Sequence, residues 1–135
     1  MIGVDTNVLL RLSDKTDPAQ SQRARALILA QGEGGCFVNE IVLAEYAWTL
    51  KRTYKQSRAQ IAEKLDALLN SREFVVSRID DVRRALDRYS GGPADFADYL
   101  LAEINRAQGC TLTATFDTDA LLSGAPFKAV PHISP

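Results

Sequence analysis

Apolar positions follow two rhythms along this chain, short unbroken runs and longer stretches at helical spacing. Residues 2–4 and 36–38 are unbroken short runs, and 74–77, 111–116 and 127–130 are largely apolar or β-branched, and all five read as strands. The stretches between them carry helix signals. Asp17-Pro18-Ala19-Gln20 supplies an N-cap, a proline at the first helical position and a glutamine that can reach back. It predicts a helix to about residue 30, stopped by Gly32-Glu33-Gly34-Gly35. Asn39 can cap a helix over residues 40–54. Ser57-Arg58-Ala59-Gln60 is a capping box ahead of Ile61, Leu65, Leu68 and Leu69. Asp80 or Asp81 opens another helix that ends near Gly91-Gly92-Pro93, and a last one runs from near Ala94 to Gly109. In that last helix Ala97, Leu100, Leu101 and Ile104 are expected to form the buried stripe. Asp98 then lies on its flank, with Asp95 nearly opposite. Strands alternating with helices predict an α/β chain with a parallel, doubly wound sheet. No repeat, low-complexity stretch or linker interrupts residues 1–135, so one three-layer α/β/α domain is expected.

Composition narrows the function classes. The 135 residues carry 46% hydrophobic and 24% charged side chains, ordinary for a water-soluble domain with a real core. The formal net charge of −1 advertises no polyanion binding by the chain as a whole. Cys36 and Cys110 have no paired spacing with each other or with His132, so both are expected to be buried free thiols beside strands, in a reducing compartment. The first residues are broken by Asp5, Asn7 and Arg11 and lack a signal peptide's apolar core. No apolar run approaches the roughly 20 residues that span a bilayer. A cytoplasmic protein without membrane contact is expected.

The chemistry lies in four acids. Asp5 and Asp117 each end a predicted strand, so both lie at the carboxyl edge of the sheet, where such folds bind ligands. Glu45 sits in the second turn of a helix that starts at that edge. Asp98 lies near the start of a helix that precedes the strand ending in Asp117. All four can therefore meet. Each also has a plain reading: Asp5 and Asp117 as turn caps, Glu45 as half of an ion pair, Asp98 and Asp95 as acids favoured at a helix N-terminus. Glu45 resists it most, because Ile41 and Trp48 share its face and burial of an unpaired charge is costly. Gathered carboxylates repel unless protonated or bound to cations, and an oxygen-only cluster suits Mg²⁺ or Mn²⁺. That chemistry points to metal-assisted phosphodiester cleavage. Setting aside these four and Asp119 leaves the rest of the chain mildly basic, as a nucleic-acid substrate would favour.

Asp5-Thr6-Asn7 after an opening strand, Glu45 in VLAEYAWTL, Asp98 in DFADYLLA and Asp117 in TFDTDALL together resemble the PIN-domain ribonucleases. The likeness is greatest to the VapC-type toxins of bacterial toxin–antitoxin systems, and it covers the whole chain. It implies a five-stranded parallel sheet of order 3-2-1-4-5 flanked by helices. It also implies Mg²⁺- or Mn²⁺-dependent endoribonuclease activity on cellular RNA, such as tRNA or another structured RNA. Inhibition by a cognate VapB-type antitoxin and a homodimer are implied as well. By motif position Asp5, Glu45, Asp98 and Asp117 form the acidic quartet, both catalytic and metal-binding. Asn7 and Thr115 match polar supporting positions, and Asp119 a position that is acidic in some members only.

Other chemistries find less support. Gly32 to Gly35 lacks the Lys-Ser/Thr of a phosphate loop. His132 stands near the chain end without a second histidine to pair with. An aspartyl-phosphate enzyme of the haloacid-dehalogenase type would want a second aspartate where Asn7 stands. A binding module that kept the fold without turnover is a third class, and an intact quartet speaks against it. Glu45 is the candidate to orient the attacking water, and Arg11, Lys51, Arg52 and Lys55 are candidates to hold the substrate. Tyr46, Trp48 and Tyr54 read as core or partner contacts.

Overall fold

Strand β1 (Ile2–Gly3) lies parallel to β2 (Cys36–Val38), with Ile2 opposite Cys36 and Gly3 opposite Phe37. The computed structural model describes residues 1–133. They fall into two compact units, residues 1–79 and the remainder from Asp80. In the first unit, Asp5 caps the short helix α1 (Thr6–Leu10), and Asp17 caps α2 (Pro18–Gln31), which stops at Gly32 with φ +76°. After β2, Asn39 caps α3 (Glu40–Arg52) by accepting the Val42 N–H at 3.0 Å. The capping box forms as the sequence predicts. Gln60 N–H donates to the Ser57 hydroxyl at 3.2 Å and Ser57 N–H to the Gln60 side-chain Oε1 at 2.9 Å, opening α4 (Arg58–Leu69). Strand β3 (Phe74–Val76) pairs parallel with β2, so the sheet order is β1-β2-β3. Helix α3 packs on α1 and α4, and Leu9, Val38, Leu43, Leu50, Ile61 and Leu65 are fully buried.

The second unit holds α5 (Ile79–Gly91), α6 (Phe96–Ala107), β4 (Thr113–Thr115), α7 (Thr118–Leu122) and β5 (Phe127–Ala129). Strands β4 and β5 pair parallel. Its core is aromatic: the Tyr89 ring meets Phe96 edge-on at 5.9 Å and Tyr99 at 6.4 Å. Glycine is required at position 92, because a Cβ there would stand 1.7 Å from the Tyr99 hydroxyl.

The α/β class and parallel pairing hold, but several expectations change. The strands form two sheets, of three and two strands, instead of one five-stranded sheet of order 3-2-1-4-5. β1 has only two residues and β4 only three, so each offers a short ladder. Helices α1 and α7 were not predicted, because five residues are too few to show a helical period. The run 111–116 shortens to β4, with Leu112 and Phe116 left exposed. Cys36 is buried as expected, whereas Cys110, in the turn after Gly109, is exposed. Leu100 is buried as expected, but its partners on the buried side of α6 are Phe96, Tyr99, Ala102 and Glu103, not Ala97, Leu101 and Ile104. The sequence shows both stripes at helical spacing. The aromatic pair fills more volume against Tyr89 and wins. No helix among the described residues is long and apolar enough to cross a membrane.

Candidate functional site

The carboxyl edge of the three-stranded sheet is polar. Val4 N–H donates to the Phe37 carbonyl at 3.0 Å, carrying the β1–β2 ladder one residue further. Continuing the register sets Asp5 beside Asn39, and Asn39 beside Ser77, whose N–H donates to the Val38 carbonyl at 2.9 Å. Asp5 and Asn39 are thus equivalent positions on adjacent parallel strands, each capping the helix that follows. Arg78 comes next, in the left-handed region at φ +52°, and its guanidinium meets Glu40 at 3.1 Å. Asn39 at this edge was legible only as a helix cap. Its strand-end placement matches that of Asp5 and was the available signal.

Asp5 is exposed, and its Oδ1 accepts the Val8 N–H at 3.2 Å. Its Oδ2 makes no hydrogen bond or ion pair among the described residues. Glu45 is exposed on α3, about 9 Å along the helix axis from Asn39. Its face is not buried as the sequence suggested: Ile41 is 69% and Trp48 52% exposed, and the Arg52 guanidinium lies 4.9 Å from the Trp48 ring centre. The reason is rotational. Val42, Leu43, Tyr46, Ala47 and Leu50 bury the opposite side of α3, and one helix cannot bury both.

In the second unit Asp117 mirrors Asp5. It follows β4 and caps α7, its Oδ1 accepting the N–H groups of Asp119 at 2.8 Å and Ala120 at 3.1 Å. Its Oδ2 is likewise without a partner among the described residues. The Thr115 hydroxyl accepts the Asp117 N–H at 3.0 Å. Asp119 contributes its backbone N–H, while its side chain is exposed. Asp95 and Asp98 both take part in opening α6. Asp98 Oδ2 accepts the Asp95 N–H at 3.2 Å, so it does not simply leave the capping to Asp95. Asp98 lies two turns before Asn105 on one face of α6, and the Asn105 amide donates to the Thr113 hydroxyl at 3.0 Å. That face is turned toward the start of β4. The chain turns through Gly109, at φ +97°, between helix and strand.

The four acids divide two and two between the units, so neither unit alone supplies three ligands. Among the described residues no group of three or more His, Cys, Asp or Glu side chains is gathered for an ion. Like charges repel, which opposes their assembly without a cation. The donor set nonetheless fits a hard divalent ion. All four are carboxylates, and Asp5 and Asp117 each keep one oxygen open while the other fixes the side chain to a helix N-terminus. His132 is exposed near the chain end.

Two cation networks lie elsewhere. Glu103, 3% exposed, faces Arg84 at 3.2 Å, Arg88 at 3.6 Å and Arg106 at 3.8 Å. In the first unit, Arg11 donates to Gln20 at 2.7 Å and Asp14 at 3.2 Å. The Tyr54 hydroxyl also donates to Asp14. This bond, the Thr16 donors and the Arg11 charge together hold the Asp14 carboxyl at about 2.

The sequence profile of the PIN domain family matches residues 2–126. No curated protein matches the chain.

Proposed function

The chain belongs to the PIN domain family, whose members are in general metal-dependent nucleases, and from that premise we propose a metal-dependent endoribonuclease acting as a VapC-type toxin. One observation carries the reading. In each unit a parallel strand ends in an aspartate that spends one carboxylate oxygen on a helix cap and leaves the other open. A cap fixes the side chain in place, so the open oxygen is presented at little entropic cost. Asp5, Asp98 and Asp117 would hold Mg²⁺ or Mn²⁺, with Glu45 orienting the attacking water. The ion supplies activation of that water and neutralisation of the phosphorane-like charge. Thr115 holds the Asp117 backbone, and Asn7 and Asp119 flank the two strand-end aspartates. The expected products carry 5′-phosphate and 3′-hydroxyl ends.

Full function in this reading needs one nuclease domain over residues 1–135. The substrate is cellular RNA, tRNA or another structured RNA, in the cytoplasm. The exposed Ile41 and Trp48 stripe supports a further interface, either with a second copy or with a VapB-type antitoxin. The decisive experiment incubates purified protein with a total-RNA pool in Mn²⁺, in Mg²⁺ and in excess EDTA, then maps 5′ ends. Metal-dependent cuts that vanish in Asp5→Asn support the nuclease, and cleavage undiminished in EDTA refutes it. Growth arrest on expression, relieved by the adjacent small gene, tests the toxin role separately.

A further inference from the structure

Helices α1 and α2 enclose a cleft of about 560 Å³ that none of the four acids lines. Asn7, Val8 and Arg11 form one wall, and Gln20, Arg23 and Leu27 the other. Its size is that of a small-ligand site, and its lining mixes Val8, Ala24 and Leu27 with Asn7, Gln20 and two arginines. We infer that this cleft is a subsite for the RNA nucleotide next to the scissile phosphate, its phosphate on Arg23 and Arg11 and its ribose or base against Val8 and Leu27. The inference rests on the nuclease reading for the identity of that phosphate.

Three features carry it. The first is position. Val8, whose N–H holds the Asp5 carboxylate, is also a wall of the cleft, and Arg11 lies about 9 Å along the chain's helical path from Asp5. A strand that presents one phosphate at Asp5 therefore brings its neighbour within reach of the two guanidiniums.

The second is preparation. Arg11 is pinned by Gln20 and Asp14, and Asp14 is pinned in turn by Tyr54 and Thr16. A guanidinium offers five N–H donors, more than these partners use, and its rotamer entropy is already spent. The third is charge. Asp14 offsets Arg11, while Arg23 has no hydrogen bond or ion pair among the described residues. The cleft thus keeps one uncompensated positive charge beside an oriented fork of donors. Arg23 is the phosphate ligand and Arg11 a positioning donor. An acidic peptide would satisfy the charge, but nothing in a peptide requires the cleft to adjoin Asp5. A polynucleotide does.

Binding of a fluorescein-labelled, mixed-sequence single-stranded 12-mer RNA to the whole protein, in EDTA at several salt concentrations, tests this. Losing one phosphate contact lowers the slope of log K against log salt by about 0.7, or about eightfold in affinity at roughly 50 mM salt. Arg23→Ala should show that loss and Arg23→Lys should keep the slope. Lys64→Ala, the same charge change on α4 outside this cleft, should move the slope less. Cleavage in Mn²⁺ forms the second arm, where Arg23→Ala should raise KM with kcat little changed.

If Arg23→Ala and Lys64→Ala behave alike while the wild type cleaves RNA, the subsite falls and the nuclease stands. A slope loss confined to Arg23→Ala in a protein that never cleaves keeps the RNA subsite and removes the nuclease. No saturable RNA binding by the wild type overturns the inference. So does a poly-glutamate peptide whose affinity alone depends on Arg23.

Discussion

Asp5 performs two jobs in this reading, and two substitutions separate them. Its Oδ1 caps α1 through the Val8 N–H at 3.2 Å, and its Oδ2 is open. Asparagine caps a helix about as well as aspartate, so Asp5→Asn keeps the Oδ1 contact and gives up only the charge. That charge is worth about 0.3–1 kcal/mol beside a helix N-terminus. In the proposed quartet, repulsion from the other acids would return part of this in the metal-free protein. The net change should lie near zero, and the melting temperature may be read directly for its sign. Asp5→Ala removes the cap as well and should cost about 1 kcal/mol more, roughly 3–5 °C.

Metal binding should fail in both variants. For the wild type, an ion at ten times its dissociation constant stabilises by about 1.4 kcal/mol, and that Mn²⁺-induced rise in melting temperature should be absent from either variant. The assay is thermal unfolding with and without Mn²⁺, run beside RNA cleavage. An Asp5→Asn protein that still gains stability from Mn²⁺ and still cleaves would refute the assignment and reduce Asp5 to a cap.

Three further outcomes follow from the geometry. Asp98→Asn should abolish cleavage, whereas Asp95→Asn should cost only about 0.3–1 kcal/mol of stability, and the reverse result in paired activity and urea-unfolding measurements would show that the wrong aspartate of the α6 capping box was chosen. Glu103→Gln removes the carboxylate shared by three arginines that are 41–56% exposed. Because those arginines rehydrate, urea unfolding should show a loss of about 1–2 kcal/mol, less than a fully buried pair would give. Tyr54→Phe should raise the Asp14 pKa from about 2 toward its ordinary 3.8, read by NMR titration. A depressed carboxyl adds stability above its unfolded pKa and loses it as pH falls from 3.8 through 2, so the variant should lose the largest part of this acid-range dependence while Thr16 and Arg11 keep the rest.

The placement of Asp5 and Asp117 was legible because its signals are local. An aspartate after an apolar run needs only its neighbours to be recognised, and Asp5 and Asp117 both stand where that pattern sets them, after strands and at helix caps. Facing was less legible. Leu101 and Phe96 are both apolar and both allowed on a buried stripe, and only the Tyr89 and Tyr99 rings decide for Phe96. Ile41 and Trp48 looked like core beside Glu45, yet they are exposed because α3 turns its other side to α1 and α4.

The sequence by itself determined the α/β class, the strand-helix alternation, and the caps at Asp17, Asn39 and Ser57. Each depends on contacts within a turn or two of chain, where residue type dictates geometry. The tertiary structure alone decided which helix faces are buried, how the strands divide into sheets, and that Arg23 joins Arg11 across a cleft one helical turn from Asp5's cap. Those outcomes depend on packing between segments far apart in sequence, where many side chains compete for one volume and no local pattern names the winner.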